Sequence, residues 1–216
     1  MGYSGRLRRL RARMRGADLD GFLVLEPANV LYLSGFRGDW AWLLVAPRAA
    51  VLFTDFRFVE QAAREVPPAV RVREVKAGGW AEATAAVCHS AGLGRLGLEG
   101  EAIPRSTWNA LERALGRKAL RPVGDWVGDL RMAKEPAEVA AISRSARLAA
   151  RVLSETVGSL RPGMTEAAVA AEIVCRIRRS GAREAFEPIV AFGPHSSQPH
   201  AVSGRRAIRG QGILLI

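Results

Sequence analysis

The stretch Gly21-Phe22-Leu23-Val24-Leu25 is apolar at every position after its glycine. A run of this length between an aspartate and a proline predicts a short, buried β-strand. Upstream, Leu7, Leu10 and Met14 recur at spacings of three and four residues within positions 4–17. This spacing predicts an amphipathic helix that packs its apolar stripe onto the strand's layer. This helix and strand are the first of the alternating elements that, continued to about residue 130, indicate a layered α/β domain.

Downstream of this strand, predicted strands and helices continue to alternate as far as about residue 130. The apolar runs 40–46 and 49–54 are separated by a proline and an arginine, which predicts a hairpin. Residues 29–36 form either a short helical turn or an extended segment that ends at glycine. The strand predicted at 70–75 alternates strictly, so one of its faces should be buried. The remaining predictions are helices at 56–66, 80–91 and 104–115 and a strand at 95–99.

The pattern changes at Glu135, where the alternation gives way to long helical periodicity. Residues 135–160 predict one long helix, which the sequence Arg161-Pro162-Gly163 ends. The hydroxyl of Thr165 can cap a further helix that runs to about residue 180. We therefore place a domain boundary between Arg131 and Glu135, which gives domains 1–131 and 132–216.

The net charge of +11 suggests nucleic acid as a partner, but the distribution of the charge argues against it. The 32 basic residues are spread along the chain, and only positions 6–13 form a dense run. That run lies in the predicted first helix, where it indicates a solvated basic face. We expect no nucleic-acid partner, and no membrane partner either, because no apolar run approaches the roughly 18 residues that span a bilayer.

The two cysteines, Cys88 and Cys175, lie far apart and within predicted helices. A disulfide framework is not indicated, and a reducing compartment suits two separate thiols better. The basic start of the chain is not followed by an apolar stretch, so a secretory signal is not indicated. Cytoplasmic localisation is the resulting prediction.

Common catalytic signatures are absent, and the strongest site candidate is the segment 186–201. The G-x-G-x-x-G spacing at 92–97 precedes a strand instead of following one, so it predicts a turn, not a phosphate loop. His89 lacks companion ligands at metal spacing and is predicted to lie on a helix surface. The segment 186–201 contains the other two histidines, His195 and His200, in a polar loop between prolines. On the residues alone, either histidine could serve in proton transfer, or the loop could be a turn with incidental histidines.

Several segments together resemble the creatinase, prolidase and aminopeptidase P group, relatives of methionine aminopeptidase with the pita-bread catalytic fold. Residues 29–36 are similar to its N-x-x-Y-L-S/T-G-F signature, and residues 52–62 are similar to its TDxRYxEQA segment. The other similar segments are 130–139 (LRxxKxxxEI), 160–166 (xxPGMTE), 189–193 with 199–200 (IVAxG and PH), and 209–216 (xxGDxVLID). Each motif is weak alone, but their shared order and spacing are specific.

The resemblance implies an α/β fold: a creatinase-like N-terminal α/β domain, then the first part of an incomplete pita-bread (α+β) catalytic domain. It implies hydrolysis of Xaa-Pro peptide bonds by a two-metal mechanism, as dipeptidase or aminopeptidase, with proline-containing peptides as substrates and a homodimer as the assembly. A creatinase-type amidinohydrolase and a non-catalytic dimerisation or binding module remain the alternatives.

The resemblance also implies that the residue after Ile216 would be the first metal-binding aspartate. A second aspartate, a histidine and two glutamates would follow and bind two divalent ions, for which manganese, cobalt, iron and zinc are all suitable. We therefore expect that these 216 residues bind no metal and form an inactive fragment.

Among residues in the chain, the resemblance assigns a catalytic role to His200, which would contact substrate and stabilise developing charge. His195 stands where the group has asparagine or a small polar residue, and it receives no role. Gln211 replaces a usual aspartate, and Phe192 replaces a serine or other small residue.

Overall fold

The computed structural model describes residues 2–76, 78–101 and 103–216. The chain divides into two compact units, the first ending at Lys134 and the second beginning at Glu135. Across the described residues, every helix is too short or too polar to cross a membrane.

The first unit is built on a mixed sheet, to which its described residues contribute six strands in the order β4-β3-β2-β1-β5-β6. The strands are β1 (Gly21–Val24), β2 (Ala41–Val45), β3 (Ala50–Thr54), β4 (Arg71–Glu74), β5 (Leu96–Glu99) and β6 (Leu120–Val123). β1 is buried along its whole length between antiparallel β2 and parallel β5. This confirms the predicted buried strand, and the antiparallel β2–β3 pair confirms the hairpin.

Helices cover both faces of this sheet. They are α1 (Tyr3–Gly16), α2 (Pro27–Ser34), α3 (Val59–Glu65), α4 (Trp80–Ser90), α5 (Arg105–Leu115) and α6 (Trp126–Met132). Phe22 packs into the core that α1, α2, α3 and α6 share, whereas Leu23 packs into the core under α4 and α5. Successive side chains of a strand point to opposite faces, so an unbroken apolar run serves both cores. The α/β prediction is confirmed.

Four elements differ from the sequence expectation or go beyond it: α2, β4, β6 and α6. The segment 29–36 is mostly helical, because α2 starts at Pro27 and ends where Gly35 adopts a left-handed φ of 79°. β4 lies at the sheet edge, and the face predicted to be buried is covered at Val70, which is buried, and at Val72, which is partly buried, both in the core under α1, α2, α3 and α6. β6 and α6 had not been predicted. β6 carries Pro122, which an edge strand tolerates, and α6 is a single short helix capped by Asp125.

The basic face of α1 is not simply solvated, which corrects the sequence interpretation. Four of its arginines are partly buried and bind carbonyl, hydroxyl or carboxylate oxygens within the unit: Arg6, Arg9, Arg11 and Arg13. Arg8 and Arg15 are exposed. Arginine can lay its methylene stem along an apolar surface while its planar guanidinium reaches oxygens beyond it. Much of the charge on α1 therefore fastens the helix to its own domain.

The second unit begins with α7 (Pro136–Ser159) and α8 (Glu166–Arg179), which match the two predicted helices. Thr165 Oγ1 accepts a hydrogen bond from Ala168 N at 3.1 Å, so the predicted cap of α8 is confirmed. β7 (Ala191–Phe192) and β8 (Leu214–Leu215) pair antiparallel. The core of the unit is formed by Val152, Val169, Ile173 and Val190.

Candidate functional site

The candidate site is the segment from Phe192, the last residue of β7, to Gly204, and it contains both loop histidines. Its far end runs back beside the start of α8, where Ala167 N donates to Gly204 O at 2.9 Å and Glu166 N donates to Arg206 O at 3.0 Å. At its near end Gly193 has a φ of +60°, a conformation that glycine adopts without strain. The segment is therefore a loop whose two ends meet at the amino end of α8.

Glu166 is the first residue of α8, and its side chain is fully buried between the two ends of this loop. Its Oε1 accepts a hydrogen bond from Phe192 N at 2.8 Å, and its Oε2 accepts one from Gly204 N at 3.1 Å. A single carboxylate thus joins both ends of the segment.

His195 supplies a further contact to the same carboxylate. It lies in a 3₁₀ turn at Gly193–Ser197, and its Nδ1 is 2.9 Å from each oxygen of Glu166. An ionised carboxylate only accepts hydrogen bonds, so Nδ1 is assigned as the protonated nitrogen. Arg206 Nε is 3.9 Å from Oε1 and adds a more distant positive charge.

These neighbours determine the charge state of Glu166. Burial by itself raises the pKa of the carboxyl, and it is the largest single influence. The hydrogen bonds from His195, Phe192 and Gly204 act in the opposite direction and leave the pKa below its ordinary value. Glu166 is therefore a buried anion at neutral pH.

His200, the residue predicted to be catalytic, lies in the same loop but outside this cluster. Ala201 N donates to Gln198 O at 3.2 Å and closes a turn in which His200 is the third residue. The His200 side chain is exposed, and it makes no hydrogen bond to any described residue. The imidazole is thus presented on a turn and is accessible to a ligand.

The structure therefore brings Glu166 and His195 together, a pairing that sequence reasoning missed. The one available signal was the glutamate directly after the capping threonine. In that position a carboxylate is ordinarily explained by the helix dipole. Its side chain instead turns toward a loop more than twenty residues away in sequence, which no local pattern reveals.

The described residues do not provide a metal centre. Among them, no three His, Cys, Asp or Glu side chains come together in a way that could hold an ion. The carboxylate of Glu166 accepts hydrogen bonds from backbone N–H groups and from an imidazole. Such neighbours stabilise a carboxylate as an anion, and they occupy the oxygens that a metal ion would need.

A second cluster of polar residues lies in the first unit, at the carboxyl ends of β1, β5 and β6. Glu99, Asn29, Asp125 and Arg131 line a cavity of about 370 Å³ there. Glu99 accepts hydrogen bonds from Leu25 N, Glu26 N and Asn29 Nδ2 at 2.7, 2.9 and 2.8 Å. Glu99 and Asp125 both accept hydrogen bonds from groups of the same unit. The cluster therefore holds α2 against the ends of the strands.

An apolar cavity of about 600 Å³ lies in the second unit, between α7, α8 and the segment 182–189. Val152, Leu153 and Ile173 form much of its helical wall, and Leu215 lies at its other side. This cavity is separate from the Glu166 carboxylate, although Pro199 of the candidate loop also lines it.

Two family models match the chain in succession. The creatinase/prolidase N-terminal domain matches residues 6–133, and metallopeptidase family M24 matches residues 140–216. Among curated proteins, an uncharacterized peptidase of Bacillus subtilis (strain 168), YqhT, is 29% identical over 98% of this chain and 60% of its own length.

Two solved structures share both the fold and sequence similarity. An Xaa-Pro dipeptidase from Bacillus anthracis has a TM-score of 0.89 at 27% identity, covering 99% of this chain and 59% of its own. An X-Pro aminopeptidase from Thermotoga maritima MSB8 has a TM-score of 0.83 at 29% identity, covering 94% and 59%. The likeness confirms a creatinase-like N-terminal domain followed by part of a pita-bread fold. The chain spans about 60% of the length of these relatives.

Proposed function

Because the chain belongs to the creatinase/prolidase group of metallopeptidase family M24, we propose that its parent protein hydrolyses the peptide bond that precedes proline. The observation that carries the proposal is the structural similarity, covering 99% of the chain, to an Xaa-Pro dipeptidase from Bacillus anthracis. Similarity to an X-Pro aminopeptidase from Thermotoga maritima supports the same substrate class and leaves dipeptides and longer peptides both as substrates.

The names of the similar proteins favour peptide hydrolysis over the two alternatives. A creatinase-type amidinohydrolase is less well supported, because both solved structures described above are named for Xaa-Pro substrates. A purely non-catalytic module is less well supported because the match extends into metallopeptidase family M24 over residues 140–216.

The metal ions of the proposed reaction have no ligand set among the described residues. We assign their ligands to the portion of the relatives, about 40% of their length, that this chain does not span. Ions held there would supply an activated water and Lewis-acid polarisation of the carbonyl. On this proposal the 216 residues alone form an inactive fragment that binds no catalytic ion.

His200 is the group that this chain would contribute to the reaction. Its exposed imidazole is held on a turn and can donate a hydrogen bond to an oxygen that becomes negative as the carbonyl is attacked. The loop that carries it is fixed at both ends by Glu166, so the position of the turn is defined by the fold.

The experiment is a comparison of two chains: these 216 residues, and the same sequence extended through the rest of the M24 domain. Both are stripped of metal, resupplied with manganese, and assayed on Ala-Pro, on a longer Xaa-Pro peptide, and on creatine. We expect the extended chain to cleave a proline substrate only when manganese is present, and the 216-residue chain to be inactive. Turnover of creatine alone would establish the amidinohydrolase, and manganese-dependent turnover by the shorter chain would overturn the assignment of the ligands.

We further propose a cytoplasmic homodimer. The two thiols are free, and Cys88 is fully buried, with burial raising its pKa to about 11. Burial keeps the Cys88 thiol protonated and unreactive. Two thiols without a disulfide are the usual state in a reducing compartment. Light scattering of the extended chain tests the dimer.

A further inference from the structure

The loop Phe192–Gly204 is held by one carboxylate at both ends. Glu166 accepts from Phe192 N at 2.8 Å and from Gly204 N at 3.1 Å, and it contacts His195 Nδ1 at 2.9 Å. His200 lies between these anchors, four residues before Gly204. The conformation of the turn that presents His200 therefore depends on a side chain that does not itself reach the exposed face of the loop.

Replacing this carboxylate would leave the loop's anchors unpaired. A buried group that loses its hydrogen-bond partner is left unsatisfied, which is destabilising. Glu166 has at least three such partners: Phe192 N, His195 Nδ1 and Gly204 N. The surrounding chain keeps other ties: Ser203 Oγ accepts from Val190 N at 2.8 Å, and Ala167 N donates to Gly204 O at 2.9 Å. The segment can thus remain near its place while the geometry of the His200 turn loosens.

We propose that Glu166 is a positioning residue for the reaction of the parent protein: it clamps the two ends of the loop and so sets the placement of His200, with His195 as an auxiliary donor. This proposal rests on the proposed function of His200. A displacement of about 1 Å in a group that must meet a transition state can lower the rate by about 100-fold. The effect should therefore fall on kcat more than on KM.

The first test is structural and does not require peptidase activity. In the 216-residue chain, amide hydrogen exchange is followed by NMR at Phe192 and Gly204 in the wild type and in Glu166→Gln. The amide group of glutamine can accept at one oxygen only, so we expect exchange at one or both sites to be at least ~10-fold faster. Glu172→Gln is the matched control, because it changes the same residue type on the same helix at a partly exposed position. Unchanged exchange at both amides in Glu166→Gln would overturn the clamp.

The second test is kinetic and uses the extended, manganese-loaded chain. We expect Glu166→Gln to lower kcat about 10-fold to 100-fold with little change in KM or metal content. Because Glu166 would act through His200, adding Glu166→Gln to His200→Ala should cost almost nothing further. Costs that multiply in the double variant would show that Glu166 acts independently of His200, and would overturn the proposal.

Two further variants separate the possible failures. Should Glu166→Gln fail to fold, His195→Ala removes only the auxiliary donor and keeps both backbone anchors. The kcat of His195→Ala should fall no more than about 3-fold, which is less than the fall expected for Glu166→Gln. A larger loss there would overturn the ranking of the contacts. If His200→Ala retains full activity, the proposed role of His200 fails and the catalytic part of this proposal fails with it, whereas the exchange data still decide the clamp.

Discussion

The side-chain amide of Asn29 donates a hydrogen bond of 2.8 Å to Glu99, a carboxylate that is 3% exposed at the end of β5. The same amide lies 3.3 Å from Asp125 Oδ1. Asn29 therefore bridges two acidic side chains, and its Oδ1 accepts from Arg131 Nη1 at 2.9 Å. The three segments that meet there come from distant parts of the sequence.

We predict that Asp125→Asn lowers the pKa of Glu99. Burial is the main cause that raises this pKa above its ordinary value, and the negative charge of Asp125 adds to it. Asparagine removes the charge and can still accept from Gly128 N as the cap of α6. A titration followed by the carboxyl ¹³C shift of Glu99 measures the change. Asp129→Asn, on the same helix, is the control, because Asp129 pairs with Arg13 instead. An unchanged Glu99 pKa in Asp125→Asn would contradict the prediction.

The direction of this shift sets a pH dependence. A folded-state pKa above the unfolded value means that the folded protein binds the proton more tightly. The contribution of Glu99 to stability therefore declines as pH rises from about 4.5, its ordinary value, through the raised folded-state value. Asp125→Asn should weaken that decline in the first unit.

Glu166 should give the second unit the opposite pH dependence. Its folded-state pKa is depressed, because the hydrogen bonds from His195, Phe192 and Gly204 together outweigh burial. The stability that it contributes is present above about pH 4.5 and is lost as pH falls through the folded-state value. All five tryptophans lie in the first unit, so the second unit must be followed by amide exchange of its own residues. Glu166→Gln should flatten this acid-side loss, although Glu184, whose pKa is also lowered, will retain part of it.

We predict that His200→Ala, in the extended chain, lowers kcat by about 100-fold or more. That magnitude is typical for the loss of one positioned proton-transfer or charge-stabilising group. Melting temperature and metal content should change little, because the side chain is exposed. Steady-state kinetics on Ala-Pro measures the effect, and His195→Ala is the internal comparison. If His195→Ala abolishes turnover and His200→Ala does not, the functional histidine of this loop is His195.

We predict that Arg11→Ala destabilises the first unit by about 2 kcal/mol, the usual range for losing hydrogen bonds from a charged donor. Arg11 donates to Ala46 O at 2.8 Å and to Ala49 O at 3.0 Å, at the turn of the β2–β3 hairpin. Arg8→Ala, an exposed change on the same helix, should cost less than about 0.5 kcal/mol. Urea unfolding followed by tryptophan fluorescence reports on this unit. Equal effects of the two changes would mean that the α1 arginines serve mainly as surface charge.

We predict that limited proteolysis removes the second unit and leaves the first. The first unit has a sheet covered on both faces, with Phe22 and Leu23 in separate cores. The second unit leaves large apolar side chains of α7 about half exposed, Ile142 and Val157 among them, and β7–β8 is a pair of two-residue strands. Cleavage should progress from the carboxyl end toward positions 131–135, which mass spectrometry of the surviving fragment would locate. Equal resistance of both units would show that the second is covered in solution.

The sequence by itself determined the layered architecture and most of the elements. An all-apolar stretch such as 21–25 has few options besides a buried strand, and Thr165 caps the helix that its position predicted. These features depend on local periodicity and on helix capping, both of which involve residues that are close together in the sequence. The order of six short motifs was likewise enough to identify the family.

Only the tertiary structure decided where the polar side chains go. The arginines of α1 read as a solvated face, yet Arg11 binds carbonyls some thirty-five residues away. The sequence places Glu166 at the start of a helix, as observed, but it does not show that the side chain accepts hydrogen bonds from both Phe192 and Gly204. A hydrogen bond depends on distances of about 3 Å between groups that the fold brings together. Sequence spacing carries no such distance once the partners lie in different elements, so the anchor of the His200 loop emerged only from the folded chain.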